Sequence, residues 1–363
     1  MIKIAERFQV SHFLVFYLIH SLQFGVGVLG FQRIVSEKVG RDAWISVIFA
    51  GILVHISLWM LYKILKNSGG NVTTVHTKLF GKWIGGGLSA CLALYFCLLA
   101  ITVLRTYIEI VQVWMFPDLN VWVFSSVFLL LVFYIISGGF RVVTGICFFG
   151  VILPIYVLFT FLFPLEFSEL NNLAPPLNHS FTEMAQSTKS MSLTIIGFEA
   201  FLVFYPFIKN PDKSKKWAHM GVAFSTVIYT LIMMVSLAYF SEEQLQKNVW
   251  ATLTIWKIIE MPFVERFEYI GIANWCLIIL PNVCLSFWCA SRCLKDTFKV
   301  NQKIILLIIL LCSFMIVSLT QTREHINMLN DLVGQTGFYI MFVYIPCLFI
   351  FNTIFRKVKG RKR

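Results

Sequence analysis

A chain of 363 residues that is 58% hydrophobic and only 13% charged, with a mean hydropathy of +0.79, exceeds the apolar share of a soluble domain and falls short of its charged share. It reads as an integral membrane protein. The net charge of +12 is spread in alternation from loop to loop, which excludes a nucleic-acid patch, and no triad, phosphate loop or metal-ligand spacing points to an enzyme, a cofactor or a metal.

A hydrocarbon core about 30 Å thick takes roughly 20 apolar residues per helical crossing. Stretches of that length predict about ten transmembrane helices, near residues 9–38, 42–66, 83–115, 120–138, 141–163, 185–208, 216–240, 267–295, 303–321 and 335–355. The first follows Lys3 and Arg7 as a signal peptide would, but it is too long and lacks a small-residue cleavage site, so it is expected to stay as a helix. Its middle reads FGVGVLGF, Phe24 to Phe31. Gly25, Gly27 and Gly30 match a dinucleotide-binding spacing, yet no strand precedes them, and that motif needs one. Glycines inside a crossing serve either close helix packing or a break, which a bilayer tolerates only beside protein or a water-filled cavity.

The third helix carries Arg105 and Glu109 in LRTYIE, one turn apart. They form either a self-neutralising pair or a charge facing the interior. Between the fifth and sixth helices, 165–189 is polar, contains Pro175-Pro176 and reads as an extended loop. The sixth helix then holds TIIGFEAFLVFYPFI, with Gly197, Phe198 and Glu199 at its centre. A glycine beside a membrane-embedded carboxylate, placed in the second half as Gly25-Val26-Gly27 is placed in the first, is the pattern of an inverted repeat with two broken helices. The expected fold is therefore all-α, a single transmembrane domain of five plus five helices over 1–165 and 185–355, with first and sixth helices broken. An outer segment at 241–268 should form a short amphipathic helix on the surface, stopped by Pro262.

In the eighth helix Pro281 and Asn282 are candidates for a cavity wall, while Pro154, Pro206 and Pro346 read as kinks. His20 and His55 each stand alone within a helix and read as satisfied interior groups; the nine cysteines read as small packing residues. Basic residues crowd Lys63 to Lys82, Lys209 to Lys216, Arg292 to Lys303 and the tail from Arg356, and are sparse around Arg33, Lys189, Lys257 and Arg323. Positive-inside bias then places both termini in the cytoplasm, as an even number of crossings requires.

The opening GVGVLGFQRIVSEKVGRDAWISVIFAGI, the third-helix LRTYIE, the sixth-helix GFEAFLVFYPFI and the outer PFVERFEYIGIANW together resemble the B subunits of bacterial spore germinant receptors, in the amino acid-polyamine-organocation superfamily. The chain departs from that pattern at Gln32, where a proline is usual, and at Ala251-Thr252, where Pro-Thr is common. The resemblance implies the inverted-repeat fold, residence in the spore inner membrane, receptor A and C subunits as partners, and recognition of a small nutrient, usually an amino acid. Carried over by position, Gly25, Val26, Gly27, Gly197, Phe198 and Glu199 would line the ligand pocket, with Thr102 and Arg105 as neighbours. A proton-coupled amino acid or amine permease titrating Glu199 is the rival reading, and a scaffold subunit with a vestigial pocket is a third.

Overall fold

The computed structural model describes residues 4–174, 177–259 and 265–360. Pro175, Pro176 and Pro262 lie outside them. Helices follow one another along the described residues; the one strand-like contact is an isolated bridge between Val10 and Ile208. The architecture is that of an all-α membrane protein: seven helices among the described residues are long and apolar enough to cross a bilayer.

The N-terminal part runs α1 (Val15–Gln23), a 3-10 turn at Val26–Leu29, and α2 (Phe31–Ser36). The predicted first helix is thus interrupted. α3 (Ala43–Ser68) stops where Gly69 takes the left-handed conformation at φ 68°, which glycine adopts without a Cβ penalty. α4 (Val72–Trp114) begins on an Asn71 side-chain cap and turns sharply at Gly81, φ 79°. That start is eleven residues or so earlier than hydropathy indicated, because Val72–Phe80 folds back on the long arm. At Gly85 a Cβ would stand 2.7 Å from the His76 carbonyl group. α5 (Val121–Ser137) and α6 (Phe140–Ile152) follow, and α6 continues as a 3-10 stretch to Phe167.

The outer connection is less extended than its composition suggests. α7 (Phe181–Ser190) opens with a reciprocal capping box between Ser180 and Glu183, a signature legible as S-F-T-E. α8 (Ser192–Ile195), a 3-10 turn at Phe198–Ala200 and α9 (Phe201–Phe204) make up a second interrupted helical segment. α10 (Lys215–Tyr239) is continuous.

Two short helices, α11 (Glu242–Lys247) and α12 (Ala251–Trp256), occupy the outer segment. The sequence placed one amphipathic helix on the surface there. Instead Ala251, Thr252, Leu253, Ile255 and Trp256 are fully buried. Trp256 donates from Nε1 to Thr160 Oγ1 at 3.0 Å, and Gly271 makes room for its ring, since a Cβ there would lie 2.4 Å away. α13 (Phe267–Phe298) packs along α4 at the centre of the molecule. α14 (Gln302–Leu319) is followed by α15 (Arg323–Tyr339), a π turn at Ile340–Tyr344 and α16 (Ile345–Gly360). This last crossing starts twelve residues or so before the predicted 335, because α15 is polar on one face and escapes a hydropathy window.

The isolated histidines acquire partners. His20 meets Ser225 Oγ at 2.8 Å, and the His55 and His219 Nδ1 atoms approach to 2.8 Å. His55 therefore does not stand alone, as the sequence suggested. The nine cysteines are free.

Candidate ligand site at the broken helices

Interrupting a helix inside a membrane strands backbone carbonyls, and each needs a donor. The first break is answered almost atom by atom. Asn282 Nδ2 donates to Ser21 O and Leu22 O at 3.2 and 3.0 Å. Tyr229 OH donates to Gln23 O at 2.8 Å, Trp275 Nε1 to Gly25 O at 3.2 Å and Thr252 Oγ1 to Val28 O at 2.8 Å. Gln32 Nε2, 2.7 Å from Thr252 Oγ1, ties α2 to the same outer helix. Space also dictates glycine: a Cβ on Gly30 would stand 2.4 Å from Val249 O, and one on Gly25 3.0 Å from Asn282 Nδ2.

The second break turns on Gly197, whose φ of 106° no ordinary side chain favours. Its N–H donates to both oxygens of the Glu199 carboxylate at 2.9 Å, and the Tyr95 hydroxyl donates to Glu199 Oε1. Glu199 is 1% exposed. Its carboxyl group therefore satisfies the Gly197 N–H at the start of the second half-helix.

Between the breaks lies a cavity of about 460 Å³, within the usual size of small-molecule sites. The first-helix break contributes Gly25, Val26, Gly27 and Gly30, α4 contributes Leu99, Thr102, Val103 and Thr106, α8 contributes Thr194, and α13 contributes Asn282. α15 presents Asn327, Asn330, Asp331, Gly334, Gln335 and Phe338, spaced as one helical face. Arg33, Lys189 and Arg323 also line it. Thr102 Oγ1 and Asn282 Oδ1 are buried without a hydrogen-bond partner, as is Arg33 Nε.

The sequence-predicted residues divide between wall and support. Gly25, Val26, Gly27 and Thr102 line the cavity, whereas Gly197, Phe198, Glu199 and Arg105 are not among its lining residues. Phe198 is fully buried. Arg105 donates from Nε to Thr320 O and from Nη2 to Gln321 O at 3.4 Å, while Glu109 pairs with Arg323 at 2.7 Å. Each of the two charges thus has its contact at the α14–α15 turn rather than at Glu199. Sequence reasoning missed Tyr229 and Tyr95, which carry no motif, and the polar face of α15, which was readable from its three- and four-residue spacing.

A family model described as "Spore germination protein" matches residues 9–326. The chain belongs to the spore germination protein family. It is 44% identical over 362 residues to spore germination protein GerQB of Bacillus cereus, covering all of both chains. It is 24% identical over 352 residues to spore germination protein YndE of Bacillus subtilis, covering 95% of this chain and 96% of that one. Among solved structures, MhsT in complex with L-phenylalanine superposes with a TM-score of 0.59 at 13% identity, over 95% of this chain and 88% of that one. This chain and that transporter share a fold.

Proposed function

We propose that this chain is the B subunit of a nutrient germinant receptor, binding a small nutrient, in the first instance an amino acid, in the cavity at the first-helix break. The carrying observation is that cavity, with Gly25, Val26, Gly27 and Thr102 in its wall. MhsT, which shares the fold, holds an amino acid, and the name of the family supplies the process. In this reading Gly197, Phe198, Glu199 and Arg105 shape the site from behind. The receptor spans the spore inner membrane ten times, as five-plus-five repeats over 1–165 and 185–355, with both termini cytoplasmic. A and C subunits turn a ligand-induced shift between two conformations into the germination signal. Such a shift requires the nutrient to bind one conformation better than the other.

The test is the nutrient response of spores carrying Thr102→Leu, whose larger apolar side chain would project into the site. The nutrient concentration for half-maximal germination should rise about tenfold, the order of one lost buried polar contact, with unchanged protein level. An unaltered response would place the ligand elsewhere. The second reading, a proton-coupled amino acid or amine permease, draws on the transporter fold and the buried Glu199. Uptake of a labelled amino acid into vesicles containing this chain alone, driven by a proton gradient, would favour it.

A further inference from the structure

Three of the four side chains that donate to carbonyls of the first break, Asn282, Trp275 and Thr252, donate to that break alone. Tyr229 of α10 differs. Its hydroxyl lies 2.8 Å from Gln23 O and 3.3 Å from Thr194 O, so it faces carbonyls of both interrupted segments. Its ring is fully buried and packs on Phe24, with centroids 5.8 Å apart, and edge-on against Phe31 at 5.0 Å. Those two phenylalanines bracket the glycine segment. One residue therefore grips the first break on both sides and reaches the second.

We propose that Tyr229 is the positioning residue that couples the two helix breaks. A phenol has one proton to donate, and two carbonyls compete for it. The hydroxyl satisfies one carbonyl well and the other poorly, so a change in the spacing of the breaks alters which is served. That spacing is set where the two segments touch: a Cβ on Gly27 would stand 3.1 Å from Thr194 Oγ1, and Gly27 and Thr194 both line the cavity. Gln23 Nε2 forms a parallel link to Ile195 O at 3.0 Å. A molecule seated beside Gly27 and Thr194 bears on both segments, and Tyr229 carries the displacement of one to the other. This rests on the ligand-site reading above for its trigger, but the coupling itself does not need the ligand.

Hydrogen exchange on the purified full chain tests the coupling directly. Tyr229→Phe keeps the ring and removes the proton. Exchange should accelerate about tenfold, the order expected of a lost buried hydrogen bond, in 24–30 and in 194–200 together. Thr230→Ala, which loses only a bond to Thr226 O within α10, should change neither. Acceleration at one break alone, or at neither, overturns the proposal. Gln23→Met removes the parallel link alone; it should loosen 194–197 and leave 24–30 as in wild type. Equal loosening of both would move the coupling to Gln23 and overturn the assignment. A second arm titrates each common L-amino acid singly. One that stabilises wild type should bind Tyr229→Phe about tenfold more weakly, and unchanged affinity would contradict transmission through Tyr229. If none stabilises wild type, the amino-acid reading fails, while the exchange arm still decides the coupling.

Discussion

Replacing Gly197 by alanine tests the second break with a single methyl group. Two costs combine. At φ 106° an alanine is strained by at least the left-handed penalty, about 1–2 kcal/mol. Its Cβ would also stand 2.9 Å from Leu22 Cβ and 3.0 Å from Leu22 O. The carbonyl is already held by Asn282, so it yields poorly, and overpacking of this kind costs about 1–3 kcal/mol. The sum, roughly 2–5 kcal/mol, is a large fraction of a typical net stability of about 5–15 kcal/mol. In thermal unfolding of the detergent-purified chain this corresponds to a fall of about 3–7 °C. Gly87→Ala is the matched control: a Cβ there meets nothing within 4 Å, and alanine in a helix gains up to about 1 kcal/mol over glycine. If Gly197→Ala melts with wild type and Gly87→Ala, the constraint at the second break is wrong.

Glu199→Gln should cost little, below about 1 kcal/mol, because its amide oxygen can accept the Gly197 N–H and the Tyr95 hydroxyl can turn to accept from its nitrogen. Glu199→Ala strands both donors and should lower stability by about 2–5 kcal/mol; equal loss in the two variants, read by thermal unfolding, would contradict a capping role. Trp275→Phe removes the donor to Gly25 O and should cost about 1–3 kcal/mol, with faster hydrogen exchange confined to 24–30; an unchanged exchange pattern would refute that role. The Ser180 contacts hold the Glu183 carboxyl below the ordinary carboxylate range. A lowered folded pKa gives stability that is present above the unfolded value and lost as pH falls through the folded one. The Ser180 and Glu183 amides, corrected for intrinsic exchange, should therefore lose protection only in that acidic window, and Glu183→Gln should flatten the response.

Much of the fold was legible because apolar length is dictated by the bilayer, and Gly25 and Gly197 announced the interruptions because a buried break needs both conformational freedom and room. α15 was shortened in the sequence reading because its cavity-facing Asn327, Asn330 and Asp331 dilute hydropathy, although their helical spacing recorded the face. The outer segment that holds Trp256 was assigned to the surface because the glycine that admits its ring, Gly271, lies fifteen residues or so on in sequence. Tyr229 and Tyr95 were invisible for a different reason: a tyrosine in a membrane helix has no distinguishing pattern until the carbonyl or carboxylate that it serves is placed beside it. Arg105 and Glu109 read as partners from their one-turn spacing, but Thr320, Gln321 and Arg323 arrive from more than two hundred residues away, beyond the reach of any local rule.

The central claim is that the cavity at the first break receives a nutrient, and direct binding tests it. Thermal stabilisation of the purified chain should be measured across amino acids, purine nucleosides and sugars, in wild type and in Gly25→Ala, whose added methyl crowds Asn282. A ligand that binds the folded state alone must raise its apparent stability. The account predicts that an amino acid raises the unfolding temperature of wild type and not of Gly25→Ala. Stabilisation of both proteins alike, or of neither by any compound, would contradict it.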